Sequence, residues 1–312
     1  MRFRIARKSD RDDIMSFCND TFSWGDYIAK VWDLWYTDRN GILFVAELGE
    51  EKKRKENKIY KSESNPTIAV SHVALCPNKR LIWLEGIRVH PAYRRSKVAT
   101  HLIGKMLLYG KKQGVKEASA IVATNNIASQ HMIKKNGFEV ASKWAYYEVT
   151  CKIDRIRRRM TVKVASSEDI SEIWNYLLNS EIYKLSGKRY ASTWRWYYLD
   201  YASLERFIEE KRLIIIYNTL ITGVAIINRN GYWNRDNVLQ ICYLDSQSEI
   251  ALQNLIYFII ISYMTPNKKS LYTNKQFNRL EILAYHTERL SWVMKKFNVE
   301  ESEQFILYTR DI

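Results

Sequence analysis

The stretch VHPAYRRSKVATHL, Val89 to Leu102, follows an apolar run, RLIWLEGIRV, and opens an amphipathic one. The preceding run reads as a strand. After it, Val98, Ala99, Leu102, Ile103, Met106 and Leu107 recur at helical spacing, which predicts a helix from about Val98 to Tyr109. Between the two lies Arg94-Arg95-Ser96-Lys97, a polar and basic turn. The first N–H groups of a helix have no internal partners and its dipole favours anions, so a basic strand-to-helix turn is a phosphate site in outline. A glycine at position 97 would let the backbone come closest to a phosphate. Lys97 stands there instead, and the expectation is that its side chain points outward and adds charge.

The chain has 312 residues, which predicts two domains. Hydrophobic residues make up 46% of it, yet no apolar run reaches the roughly 18 residues of a membrane span. The first residues, MRFRIARKSDRDD, lack the apolar core of a signal peptide, which predicts a cytoplasmic protein without membrane partners. Four widely spaced cysteines without a CxxC pair, and five histidines without ligand spacing, argue against a disulfide scaffold and against a metal site. The net charge of +15 fits an acidic partner: nucleic acid, a polyanionic cofactor or an acidic substrate.

One pattern occurs twice. FRIARKSDRDDIMSF (Phe3 to Phe17) aligns with VKVASSEDISEIWNY (Val162 to Tyr176), Asp10 meeting Asp169, and IVATNNIASQHMIKKNGFEV (Ile121 to Val140) aligns with ILAYHTERLSWVMKKFNVEE (Ile282 to Glu301) at nearly the same offset. One fold used twice follows. The expected division is a first domain over 1–152, a basic linker over 153–160 and a second domain over 161–312. Strands interleaved with helices make each half an α/β or α+β sandwich with a mixed central sheet.

With Asn126-Ile127-Ala128-Ser129 followed by Gly137-Phe138, the turn at Arg94-Arg95-Ser96-Lys97-Val98-Ala99 resembles the two sequence motifs of the GNAT family of acetyl-CoA-dependent N-acetyltransferases. The resemblance covers about residues 2 to 150. It implies that Arg94, Arg95, Ser96, Lys97, Val98, Ala99 and Thr100 hold the phosphates of acetyl-CoA, that the backbone of Ile87, Arg88 and Val89 holds the pantetheine arm, and that Asn126 holds it from the far side. WLEGIRVHP is similar to members that use a strand glutamate as general base, which falls on Glu85. An amine is protonated at neutral pH and must lose a proton before it attacks a thioester, so the chemistry needs such a carboxylate. Ile133 stands where many relatives have a tyrosine that protonates the departing thiolate, and Tyr146 and Tyr147 are the substitutes expected on the following strand. Trp24, Asp26 and Tyr27 fall where this fold places its acceptor pocket. YIAKVWDLW and a long second half further resemble a branch that includes histidine N-acetyltransferases.

The second half lacks the basic turn: after VLQICYL it reads Asp245-Ser246-Gln247-Ser248-Glu249. This predicts a degenerate GNAT-like copy that does not bind CoA. The expected activity is transfer of an acetyl group to a primary amine on a small molecule or peptide, without a metal. The alternative is a catalytically inactive protein on the same scaffold that binds acyl-CoA, nucleic acid or a protein partner, with nucleic acid the less favoured.

Overall fold

The structure is a computed structural model and describes residues 1–18, 21, 25–49, 66–77, 80–149, 160–230, 236–264 and 277–312. Trp24 and the linker up to Arg159 lie outside the described residues. The chain forms two compact units. One comprises Met1–Ile121, Asn126–Val140 and Tyr308–Ile312, the other Val122–Asn125 and Ala141–Leu307.

In the first unit β1 (Arg2–Ile5), β2 (Gly41–Glu47), β3 (Thr67–Leu75) and β4 (Leu81–Val89) pair antiparallel in that order. Two helices, α1 (Arg11–Cys18) and α2 (Ile28–Tyr36), lie between β1 and β2 in the chain. α3 (Val98–Lys112) carries the chain across so that β5 (Glu117–Ala123) pairs parallel with β4, as a helical crossover requires. α4 (Ile127–Lys135) follows, capped by Asn126, whose side chain accepts from the Ser129 N–H at 3.1 Å. Ile28, Val31, Trp32 and Trp35 bury one face of α2, and Val98, Leu102, Ile103 and Met106 one face of α3.

The second unit repeats this order. β7 (Thr161–Val164), β10 (Leu213–Tyr217), β11 (Ile221–Asn228) and β12 (Val238–Ser246) pair antiparallel, and β13 (Arg279–Tyr285) pairs parallel with β12 after α8 (Glu249–Tyr263). Between β7 and β10 lie α5 (Ile170–Asn179), α6 (Glu181–Leu185), the hairpin of β8 (Arg189–Ser192) and β9 (Arg195–Tyr198), and α7 (Tyr201–Glu209). The two halves also repeat a side-chain bond at the matched aspartates. Arg4 donates to both oxygens of Asp10 at 2.7 Å, and Lys163 donates to Asp169 at 2.8 Å. Each aspartate also accepts from the backbone N–H three residues earlier, at Arg7 and at Ser166, which fixes the entry of the following helix.

The halves of the sequence and the compact units differ at their last strands. β6 (Glu139–Val149) enters the second unit from Ala141 onward, where it pairs antiparallel with β13. β14 (Glu303–Asp311) returns the exchange: Tyr308–Ile312 belong to the first unit, next to β5. There the Ile312 N–H donates to the Lys116 carbonyl at 2.9 Å, Arg310 donates to the Asn136 carbonyl, and Ile312 fills the space that the missing side chain of Gly110 leaves. α9 (Glu288–Lys296) completes the second unit, capped by Thr287. Among the described residues no helix is long and apolar enough to cross a membrane.

Deleting residues 308–312 removes a strand end and these bonds from the first unit. The deletion is expected to lower its unfolding midpoint by more than about 4 °C, the shift that one to two kcal/mol produces in a domain of this size. Thermal unfolding followed by near-ultraviolet circular dichroism of the full and shortened chains measures it, and an unchanged midpoint would mean that the segment adds nothing to that unit.

Candidate functional site

β4 is the strand on which the candidate residues converge. Opposite it, β3 advances two residues, from Val70 to His72, while β4 covers three, from Arg88 back to Glu85. The extra residue is a bulge at Gly86 and Ile87, with Gly86 in the left-handed region at φ +65°. A bulge leaves backbone groups of its own strand outside the ladder, and it interrupts the in-out alternation that sequence patterning relies on. A Cβ on Gly86 would lie 2.4 Å from Cζ3 of Trp35, so the indole of α2 rests directly on the β4 backbone.

Glu85 sits just before the bulge, its side chain 11% exposed. His72 Nδ1 is 2.8 Å from Glu85 Oε1. Immediately past the bulge, Arg88 donates from Nε to Asp26 Oδ2 at 2.6 Å and from Nη2 to Oδ1 at 3.2 Å, and Asp26 also accepts from the Ile28 N–H. The Asp26 side chain is only 2% exposed, so this pair ties the segment before α2 to β4. Arg88 also lies 5.2 Å from the centre of the Tyr27 ring, which packs edge-on to Trp35. Burial pushes the Tyr27 hydroxyl above the usual phenol range, against the pull of Arg88.

Beyond Val89 the chain makes a short turn of 3-10 helix, Pro91–Tyr93, and then the basic turn. Arg95 and Lys97 are both left-handed, at φ +63° and +64°, and Lys97 is the residue immediately before α3. The glycine-favouring position is therefore a real left-handed one, which Lys97 occupies at a cost of about 1–2 kcal/mol. Arg94, Arg95, Ser96, Lys97 and Thr100 are exposed, Val98 is buried and Ala99 half-buried. Arg94 Nε donates to the Val89 carbonyl at 3.2 Å, and the Ser96 hydroxyl donates to the Tyr93 carbonyl, so the turn is folded back on the end of β4. Burial, and Arg94 beside it, push the His90 imidazole below its ordinary pKa. Asn126 caps α4, and Gly137, at φ +78°, follows the end of that helix. Ile133 is buried in the same unit.

Tyr146 belongs to the second unit, where its hydroxyl donates to Glu148 at 2.5 Å and its ring packs 5.0 Å from Trp194. Sequence reasoning singled out Glu85 but missed His72. The available signal was a histidine inside the apolar strand TIAVSHVAL, thirteen residues before a glutamate on the next strand.

In the second unit β12 runs into α8 with only Gln247 and the capping Ser248 between them. The first unit has eight residues, His90 to Lys97, in that place. Asp245 lies within the strand, 2% exposed, accepting from Tyr176 at 3.0 Å, Ser180 at 2.5 Å and Tyr243 at 2.9 Å. In the run Asp245 to Glu249, Asp245 and Ser246 are the last two residues of the strand and Glu249 starts the helix. Among the described residues no group of histidine, cysteine, aspartate or glutamate side chains is placed to hold a metal ion.

Gly86→Ala adds a methyl group against Trp35 at a left-handed position. It is expected to destabilise the protein by about 2–4 kcal/mol, combining overpacking with backbone strain. Urea unfolding monitored by tryptophan fluorescence measures this, and a loss under 1 kcal/mol would show that Trp35 moves aside freely.

The profile of the Acetyltransferase (GNAT) family matches residues 11–138. An aminoglycoside N(6')-acetyltransferase type 1 from Salmonella typhimurium is 28% identical over 88 residues, which is 28% of this chain and 61% of that protein. The chain thus spans less than two thirds of that relative's length. Among solved structures, a GCN5-related N-acetyltransferase from Sphaerobacter thermophilus superposes with a TM-score of 0.59 at 10% identity, over 99% of this chain and 95% of that one. A tandem GNAT protein from the clavulanic acid biosynthesis pathway superposes with a TM-score of 0.50 at 10% identity, over 99% of this chain and 98% of that one. The fold is that of tandem GNAT-like domains, and residues 11–138 match the acetyltransferase (GNAT) family.

Proposed function

We propose that the protein is an acetyl-CoA-dependent N-acetyltransferase whose chemistry runs in the first unit, with a primary amine of a small molecule or peptide as acceptor and Glu85 as general base. The observation that carries this reading is the sequence of features along one strand: a shielded carboxylate, a bulge, and a basic left-handed turn into a helix. Acetyl-CoA would supply an acetyl thioester. The residues present fit it: the first amides of α3 with exposed Arg94, Arg95 and Lys97 would hold the phosphates, and the pantetheine arm would run along the Ile87–Val89 segment, whose Ile87 and Val89 carbonyls here accept from Arg88 and Arg94.

On this reading the ammonium of the acceptor gives one proton to Glu85, and the free amine attacks the thioester carbonyl. The carbon–sulfur bond breaks, and the proton left on nitrogen goes to the sulfur. A thiol with a pKa near roughly 8.5 leaves without a dedicated acid, and the Tyr146 proton is already directed at Glu148. Tyr27 and the Arg88–Asp26 pair would border the amine. The relatives named for aminoglycosides make that class the first acceptor to try. The domain division at 1–152 and 161–312 goes with a second half that does not bind CoA, supported by the missing turn after β12. A binding protein without turnover is the competing reading, and Ile133 in place of the family tyrosine favours it.

Glu85→Gln is expected to lower kcat by about 10² to 10⁴ while leaving the acetyl-CoA Kd within about threefold. Thiol release with aminoglycosides, free amino acids and polyamines, alongside calorimetry with acetyl-CoA, tests this. Full activity in the variant removes Glu85 from the mechanism. Absence of amine-dependent thiol release from the wild type, with acetyl-CoA bound, favours the binding protein.

Lys97→Gly relieves the left-handed strain but makes the unfolded chain freer by about 0.4–1 kcal/mol. Stability is therefore expected to stay within about 1 kcal/mol of wild type, and acetyl-CoA affinity within about tenfold. A gain in affinity far beyond tenfold would mean that the lysine side chain obstructs the phosphates.

A further inference from the structure

The outer face of α3 is basic from end to end. From Gly86 to Lys116 the sequence holds eight lysines and arginines and no aspartate or glutamate. Val98, Leu102, Ile103 and Met106 occupy the buried face of the helix. At about 3.6 residues per turn, Gly104 and Leu108 run down the middle of the opposite, exposed face, with Lys105 and Lys112 on one side, Lys111 on the other and Lys97 at its head.

The packing of α3 does not account for that middle stripe. A Cβ on Gly104 would meet nothing within 4 Å among the described residues, whereas Gly110 in the same helix is packed against Ile82 and Ile312. A glycine inside a helix weakens it relative to alanine. Four residues on, Leu108 is 47% exposed. What a bare backbone in mid-helix permits is the close approach of a second helix, because side chains at the contact set the separation of packed helices. An apolar centre inside a polar rim is the layout of a protein interface, and a rim of cations selects an acidic partner. A nucleic-acid backbone would instead need cations along the middle.

We infer that α3 is the docking helix for an acidic acyl carrier protein, which presents an acyl thioester on a phosphopantetheine arm to the same site as acetyl-CoA. This rests on the proposed transfer from a thioester to an amine. Phosphopantetheine is the part that CoA and such a carrier share, and the exposed face of α3 begins at Lys97, in the turn proposed for the donor's phosphates. The turn takes the phosphate of the arm from either source; the face beyond it takes only the carrier. An acidic helix of the carrier crosses at Gly104, with an apolar side chain on Leu108 and carboxylates facing Lys105, Lys111 and Lys112. In the transfer the carbon–nitrogen bond forms and the carbon–sulfur bond breaks. The ammonium gives one proton to Glu85 and one to the sulfur, and the carrier leaves with a free thiol.

The test measures binding of a purified acyl carrier protein, in its apo and acetyl forms, to the full chain by calorimetry at about 0.05 and 0.15 M salt. The acetyl form is expected to bind the wild type in the micromolar range, more tightly than the apo form and more weakly as salt rises. Two variants away from the acetyl-CoA residues locate the contact. Lys105→Glu combined with Lys112→Glu is expected to weaken carrier binding by at least about tenfold. Gly104→Gln keeps every charge and favours the helix, so it is expected to melt no lower than the wild type, yet to weaken the carrier as much by holding the partner off. Both variants are expected to bind acetyl-CoA within about threefold of the wild type, which separates loss of docking from misfolding. No carrier binding, or equal binding by the wild type and both variants, overturns the inference. A short RNA duplex that binds more tightly than the carrier, with the same sensitivity to the lysine changes, overturns it too and assigns the face to nucleic acid. Absence of amine-dependent thiol release from acetyl-CoA counts against the transferase reading instead, and the carrier titrations still decide the docking.

Discussion

The close approach of Trp35 to Gly86 is the constraint on which the first unit turns. Only a residue without a side chain lets the indole reach the β4 backbone, and only glycine takes the left-handed angle of the bulge without strain. The same indole lies flat on His72 and against Tyr27. One contact therefore sets three things: the break in the ladder of β4, the depth of the imidazole beside Glu85, and the position of the segment that Arg88 holds through Asp26. Loss of that contact would disturb all of them at once, so a variant at Gly86 reads out the integrity of the site as well as the stability of the unit.

The two units show what the shared scaffold keeps and what it lets go. Both retain an aspartate that fixes the first helix, four antiparallel strands, a parallel fifth, and an irregularity in the fourth strand, which in β12 falls at Cys242. They differ at the end of that fourth strand. In the first unit an arginine reaches a buried aspartate, and eight residues of basic turn follow. In the second a buried aspartate takes three hydroxyl groups, and a helix follows almost at once. Burial pushes the carboxyl of Asp245 up, while its hydroxyl donors Ser180, Tyr243 and Tyr176 pull it down. The second arrangement is a self-sufficient core, with its polar groups satisfied inward.

Much of this was legible in the sequence, because it depends on local patterns. The helical stripe after Val98 and the buried face of α2 follow from apolar spacing, and the doubled fold from two matches at nearly equal offsets. The left-handed angle at Lys97 was not legible, since a lysine gives no reason to expect it and only the resemblance to a glycine-bearing turn raised the question. His72 was missed for a related reason. A histidine within an apolar strand reads as a core residue, and the partner that changes its meaning is fixed by the register of β3 on β4 across a bulge. Tyr146 falls in the second unit because the partner of β6 is β13, far along the chain. Strand pairing at long separation leaves no local mark.

The traded last strands set a schedule for biosynthesis. The first unit has most of its sheet once Val140 has been made, yet its edge beside β5 waits for Tyr308–Ile312, after all of residues 141–307. At about 5–20 residues per second, that is a wait of roughly ten to thirty seconds with a strand edge unpaired. An unpaired edge is a template for the wrong partner, including the same edge on a neighbouring nascent chain. The ribosome's pace, and chaperones that cover such edges, would then govern the yield of native protein more than the final stability of either unit does.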